Sequence, residues 1–179
     1  ESNLLFNDNE LNIFKKLKKE ISVLLLQQEI PIDINIELLK IANESGIKTI
    51  YDPGPPSKYE NFDFLKFVDF LTPNKHEAEF ILGKKIDGFE LEAAKELKKI
   101  GSNHVIITLG SEGLVYSGDF DRIFKPIKVN AIDPVGSGDC FNGALASMIN
   151  KGEDILNSIN FAQRAAAFST TKKLSLIHI

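Results

Sequence analysis

The chain has 179 residues, 43% of them hydrophobic and 26% charged, a globular balance that suffices for one sizeable core and lies far from that of a disordered segment. Its net charge of -4 and pI near 5.5 give no basic footprint for nucleic acid or an anionic membrane, and no apolar run is long enough to span a bilayer. A single cysteine, Cys140, excludes an intrachain disulfide framework and leaves no cysteine pair for structural zinc, so a small diffusing partner and a cytoplasmic setting are the default reading.

In chain order, Leu11 to Glu20 carries Leu11, Ile13, Phe14 and Leu17 at helical spacing, and the run ISVLLL behind it predicts a buried strand. Ile34 to Asn43 predicts a second helix with Ile34, Leu38, Leu39 and Ala42 on one face, and SGIKTIYD predicts a stop at Gly46 followed by a second strand. The stretch DPGPP, Asp52 to Pro56, must empty into a loop because proline has no ladder donor. FVDFL is a third apolar run, TPNKHEAEFILG turns into a helix whose Glu77, Glu79 and Gly83 fit start and stop preferences, and LEAAKELKKIG is a fourth helix.

HVIITLG predicts a β-branched strand ending in glycine, and GLVYSGDFDRIFKPI alternates around Gly118-Asp119 as an antiparallel hairpin. Cys140 to Asn150 and Ile155 to Thr171 predict two final helices, the second rich in alanine. This alternation implies an α/β fold, a mostly parallel sheet with helices on both faces plus the hairpin, whose ligands bind beyond the carboxyl ends of the strands. No repeat, low-complexity segment or second domain is evident. The start at Glu1 and the apolar ending KKLSLIHI read as those of a fragment.

The chemistry concentrates in DPVGSGDCFNGAL, from Asp133. Successive N–H groups in a glycine-rich turn form an anion-holding concavity, and a following helix adds its positive end. An ionised Asp139 beside a phosphoryl acceptor can orient an attacking hydroxyl and accept its proton. The plainer alternative, an aspartate that caps a helix after a flexible turn, is equally compatible with the spacing. A Walker loop would need Gly-Lys-Ser/Thr where Gly138 is followed by Asp139, and Phe141 breaks the spacing of a dinucleotide fingerprint.

Other features have ordinary explanations. HEAEF lacks the second histidine of a zinc helix, since Phe80 stands there, which leaves His76 a surface residue and His104 a strand edge. Cys140 is read as small buried filler, the sequon Asn43-Glu44-Ser45 has no secretion signal to act with, and Lys15, Lys16, Lys18 and Lys19 form a solvated helix face.

With LLLQQEIP, DPGPP, TPNKHEAE and ITLGSEG preceding it in order, DPVGSGDCFNGAL resembles the carboxyl-terminal signature of the ribokinase-like, or PfkB, family of sugar kinases. The resemblance runs over nearly all of Leu24 to Lys173 and corresponds to a carboxyl-terminal half of that fold, without the first strands, the lid and the glycine-rich sugar-binding segment. It implies that residues 1–173 form a nucleotide-binding and catalytic half-domain, inactive alone; residues 174–179, from the apolar ending itself, are read as a non-native tail. The implied reaction is ATP-dependent phosphorylation of a sugar hydroxyl, D-ribose to ribose 5-phosphate. A family kinase for fructose, a keto-deoxy sugar acid or a nucleoside is the alternative, and a non-catalytic nucleotide-binding fragment is another.

Carried over residue by residue, the resemblance makes Asp139 the catalytic base, which also touches the sugar, and the amides of Gly136, Ser137 and Gly138 the anion hole. Asn74, Thr108, Leu109, Gly110, Ser111, Glu112, Gly113, Gly138 and Gln163 would bind the nucleotide, and Glu29 the sugar. Glu77 would act on Mg2+ through water. Asp133, Val135 and Ser169 would serve an activating monovalent cation, K+, although Leu174 departs from the pattern by standing where the family carries glycine. The resemblance leaves room for a homodimer of the full-length protein.

Overall fold

The computed structural model describes residues 6–56 and 61–173, so the expected tail at 174–179, with Leu174, lies outside the described residues. These divide into two compact units: residues up to Gly110 together with Leu114–Phe124, and Ser111–Gly113 together with residues from Lys125 onward.

In the first unit, helix α1 (Asp8–Leu17) starts behind Asn7, whose side chain accepts from Asn9 N while Glu10 reaches back to Asn7 N, so two amides that the helix cannot pair itself are satisfied. Leu11 and Phe14 enter the core, but Ile13 and Leu17 are 55% and 45% exposed. At about 100° per residue the four positions spread over roughly 160° of the helix, with 13 and 17 the farthest from 11, so the core covers the side of 11 and 14 and leaves the other edge of the stripe exposed.

Strand β1 (Val23–Gln27), helix α2 (Ile32–Glu44) and strand β2 (Lys48–Asp52) form the predicted β-α-β unit, with β1 and β2 parallel in the register Leu26↔Tyr51. The run FVDFL departs from expectation. Its start belongs to a 3-10 turn over Asp63–Phe67, and only Phe70–Leu71 pairs as β3. The reason lies in Asp69, whose carboxylate accepts from Thr49 N, Thr49 Oγ1 and Lys48 Nζ and thereby ties the segment sideways before it can extend.

Helix α3 (Lys75–Leu82) ends at Gly83 and α4 (Glu90–Ile100) at Gly101, after which come β4 (His104–Thr108) and the hairpin β5 (Leu114–Ser117) and β6 (Asp121–Phe124). The six strands lie in the order β1-β2-β3-β4-β5-β6, parallel as far as β4 and antiparallel from there. Within this unit the helices between the parallel strands pack on one face of the sheet. That face holds Leu26, Tyr51, Leu71, Val105, Ile107 and Val115, in one core with Leu38, Leu39 and Ala42 of α2 and Ala93, Ala94 and Leu97 of α4. Each fully buried leucine or isoleucine contributes about 1.5–3 kcal/mol, whereas half-exposed pairs such as Lys84–Glu96 contribute about 0.2–1, so the apolar layer rather than surface charge holds these helices.

His104, expected at a strand edge, opens an interior strand and is half-buried. Phe70 stacks on its ring at 4.5 Å, and the Tyr116 hydroxyl, which accepts from Asp119 N, lies 2.8 Å from Nδ1.

In the second unit, α5 (Ser137–Asn150) and α6 (Ile155–Ser169) form an αα-hairpin across the turn at 151–154, with Phe141, Leu145, Ile159 and Ala162 buried. Asp154 caps α6 by accepting from Asn157 N.

Candidate functional site

The carboxyl ends of β1, β2, β3 and β4 in the first unit are bordered by Gln27, Asp52, Leu71 and Thr108, where a sheet of this kind offers its ligand crevice. Thr108 N donates to Pro73 O at 2.9 Å, and Asn74 and Thr108 form a parallel bridge, so two predicted nucleotide residues meet here. Asn74 then caps α3: its Oδ1 accepts from Glu77 N at 3.0 Å, its own N–H donates to Glu77 Oε2 at 2.7 Å and its Nδ2 to Glu77 Oε1 at 2.7 Å. The Asn-x-x-Glu spacing is therefore a capping box as well as a candidate site.

Glu77 is only 8% exposed. Burial pushes its carboxyl above the ordinary glutamate range, the Asn74 donors oppose that shift, and the charge of Asp52 adds to it. A Cβ placed on Gly54 would come 2.5 Å from Glu77 Oε1 and 3.2 Å from Asp52 Oδ1, which shows how closely the two carboxyl groups flank that glycine. Asp52 also accepts from Gly54 N at 3.1 Å and Gln27 Nε2 at 3.4 Å. Sequence reasoning missed Asp52: its only signal was an acid closing a predicted strand just before the DPGPP loop.

Hard carboxylate oxygens suit a magnesium ion, and both Glu77 oxygens already accept from Asn74, which fits contact through water rather than direct ligation. Glu29 is exposed in the turn after β1, and that turn is tied to the Asp52 segment by bonds from Gln28 N to Asp52 O and Gly54 O. Leu109 packs against the core, and Gly110 opens a 3-10 turn through Glu112.

In the second unit the glycine motif differs from a helix capped by aspartate. The N-cap is Gly136, with no side-chain cap bond, and Asp139 is the third residue of α5, exposed in its first turn. Gly136 has φ 75°, a left-handed conformation that glycine alone adopts readily. Of the expected anion-hole amides, Ser137 N closes the turn onto Pro134 O at 3.2 Å, while a Cβ on Gly138 would meet nothing within 4 Å, so that side of the first turn is open. A helix start leaves its first amides without intrahelical acceptors and carries a partial positive charge.

Asp133 is tied to the end of α6, where its N–H donates to Thr170 O at 3.0 Å, next to Ser169, whose hydroxyl donates to Ala166 O; Asp133 Oδ1 accepts from Val135 N at 3.0 Å. Gln163 is held by a bond from its Nε2 to Lys125 O at 3.0 Å, and Ser111, Glu112 and Gly113 lie in the short segment before β5. Cys140, predicted as buried filler, is half-buried, and His76 is a surface residue as expected. Among the described residues no group of three or more His, Cys, Asp or Glu side chains could hold a metal ion by itself, and no helix is long and apolar enough to cross a membrane.

Comparison with known proteins bears on these arrangements. Ribokinase of Lactococcus lactis subsp. lactis is 35% identical over 162 residues, which cover 90% of this chain and 51% of that protein. The structure of Thermotoga maritima ribokinase matches with a TM-score of 0.76 at 32% identity, over 88% of this chain and 55% of that one. Arabidopsis thaliana ribokinase, solved in complex with ribose and ATP, matches with a TM-score of 0.79 at 27% identity, over 94% of this chain and 54% of that one. The chain thus spans about half the length of the relatives it matches. The profile of the pfkB family of carbohydrate kinases matches residues 3–177, and that match does not bear out the narrower expectation of likeness to a carboxyl-terminal half only. Over nearly its whole length, and in its α/β fold, this chain belongs to the pfkB family of carbohydrate kinases.

Proposed function

We propose that this chain carries the nucleotide-binding and phosphoryl-transfer machinery of an ATP-dependent sugar kinase, with D-ribose as the sugar. The observation that carries the reading is the start of α5, where the N-cap is the left-handed Gly136 and an exposed Asp139 lies within the first turn. An exposed carboxylate at this place can take the proton of an attacking hydroxyl, and the open side of the first turn at Gly138 suits a phosphoryl oxygen.

In the proposed reaction the sugar hydroxyl attacks the γ-phosphorus in line and gives its proton to Asp139. A new O–P bond forms as the bond to the bridging oxygen breaks, and ADP leaves. The amides at the start of α5 hold the charge on the transferring group. Asn74, Thr108, Leu109, Gly110, Ser111, Glu112, Gly113 and Gln163 bind the nucleotide, and Glu29 binds the sugar. Glu77, joined by Asp52, would hold magnesium through water. When bound, the ion neutralises charge on the phosphates. Asp133, Val135 and Ser169 would serve K+.

The test is Asp139→Asn in the full-length gene product that carries this chain. The amide keeps the shape but accepts no proton, so kcat should fall on the order of 10²–10⁴-fold while ATP affinity and the melting temperature hold. Near-normal turnover by the folded variant would remove Asp139 from the chemistry. A sugar panel that favours fructose, a sugar acid or a nucleoside over ribose would replace the substrate and leave the reaction class standing.

A further inference from the structure

Outside the residues assigned by family likeness, one buried amide side chain has no packing explanation. Asn35 is fully buried in α2, where the other buried positions, Leu38, Leu39, Ile41 and Ala42, are all apolar. Its Nδ2 donates to Gln27 O at 3.0 Å, but its Oδ1 has no hydrogen-bond partner among the described residues. Leaving a buried amide oxygen unpaired costs about as much as, or more than, one neutral hydrogen bond returns in net stability. A leucine of similar volume would serve the core at least as well, so the asparagine calls for a reason other than stability.

That reason lies at the end of β1. Gln27 is held by Asn35, and the next residue is held from β2: Gln28 Oε1 accepts from the Tyr51 hydroxyl at 2.6 Å, while Gln28 N donates to Asp52 O at 3.2 Å and Gly54 O at 3.1 Å. Tyr51 is 1% exposed and meets Phe64 edge-on with ring centroids 5.4 Å apart, so its hydroxyl is aimed by a ring that has no room to turn away. Two side chains from the core therefore grip the consecutive residues that precede the exposed Glu29. Buried groups of this kind, locked by packing and aimed at a loop, are what hold a binding side chain in one geometry.

We propose that Asn35 and Tyr51 are positioning residues that fix the turn bearing Glu29 and so set where the sugar sits. The proposal rests on the reading of Glu29 as a sugar contact. It gives both residues a role in substrate affinity that neither plays by touching the substrate.

Tyr51→Phe and Asn35→Leu, made in the full-length gene product, test this through backbone amide exchange in the turn, thermal melting and steady-state kinetics. Tyr51→Phe keeps the ring against Phe64 and removes only the hydroxyl. Exchange at Glu29 and Ile30 should quicken by about two- to tenfold, the worth of one hydrogen bond, and KM for the sugar should rise by a similar factor. The kcat and the KM for ATP should stay within about twofold. Asn35→Leu should loosen the same turn and raise the same KM with no loss of melting temperature. An unchanged sugar KM in both variants would overturn the proposal, as would an Asn35→Leu protein that loses stability while its turn exchanges normally. Should Glu29→Ala itself leave the sugar KM unaltered, the reading of Glu29 fails. Amide exchange in Tyr51→Phe then decides separately whether the clamp exists.

Discussion

Asn74 performs two tasks with one amide, and substitution can separate them. Asn74→Ala removes the N-cap of α3, at a cost of about 0.5–2 kcal/mol, and it also removes the Nδ2 donor from the buried Glu77 carboxylate, a bond to a charged group contributing about 1.5–3 kcal/mol. The two bonds share one network and do not add fully, so about 2–3 kcal/mol is expected. In a protein of this size that lowers the melting temperature by roughly 4–12 °C.

Asn74→Asp keeps the cap, since aspartate accepts from Glu77 N as well as asparagine does. It sets a second carboxylate oxygen where Nδ2 now lies 2.7 Å from Glu77 Oε1. Two carboxylates that close cannot both ionise, so the folded variant retains a proton that the unfolded chain releases. A carboxyl whose pKa is raised by folding adds stability that is complete below its unfolded value and is lost as pH rises through its folded value. The penalty of Asn74→Asp relative to the parent protein should therefore be large at about pH 8 and shrink at about pH 5, whereas that of Asn74→Ala changes less. Urea melts of the three proteins at both pH values measure this. Equal Asn74→Asp penalties at the two pH values, or an Asn74→Ala melting point within about 2 °C of the parent, would refute the account of this pair.

Two predictions concern the cluster at the start of β4. Burial holds the His104 imidazole below the ordinary histidine range, against the opposing charges of Asp119 and Asp69. As pH falls the unfolded chain takes the proton first, so stability is complete above about pH 6.5 and declines as pH drops toward the lower folded value. His104→Phe should flatten that slope in urea melts between about pH 7.5 and 5.5, and an unaltered slope would show that another group titrates there. Gly118 packs against the same aromatic pair, since a Cβ on it would collide with Tyr116 Oη and His104 Nδ1. Gly118→Ala should cost about 1–3 kcal/mol by overpacking, and a melting temperature equal to the parent's would disprove that reading.

Local sequence carried much of this architecture because period and punctuation are local properties. The alternation of apolar runs with helical spacing predicted each β-α unit, Gly118-Asp119 marked the hairpin, and Asn74 with Glu77 marked both a helix start and a candidate site. The same spacing identified α1 but did not tell which of its apolar positions are buried, and Ile13 and Leu17 are left exposed. It also read FVDFL as a third apolar run without showing how little of it pairs, because the hold of Thr49 and Lys48 on Asp69 spans roughly twenty residues and leaves no trace in a short window.

What only the tertiary structure decided is which distant residues become neighbours. Glu77 was legible as an acid in the first turn of its own helix, but its approach to Asp52 across Gly54 depends on segments far apart in the chain ending at the same edge of the sheet. The sequence left Asp139 open between cap and base; the left-handed turn at Gly136 starts the helix at Ser137, two residues before the acid, and so places it inside the first turn. Asn35 was invisible, because a polar residue next to an apolar stripe reads as solvent-facing until the packing of α2 closes over it. Periodicity tells a side chain which way it faces along its own element. Burial and partnership depend on what another element brings to meet it, and that is a property of the fold.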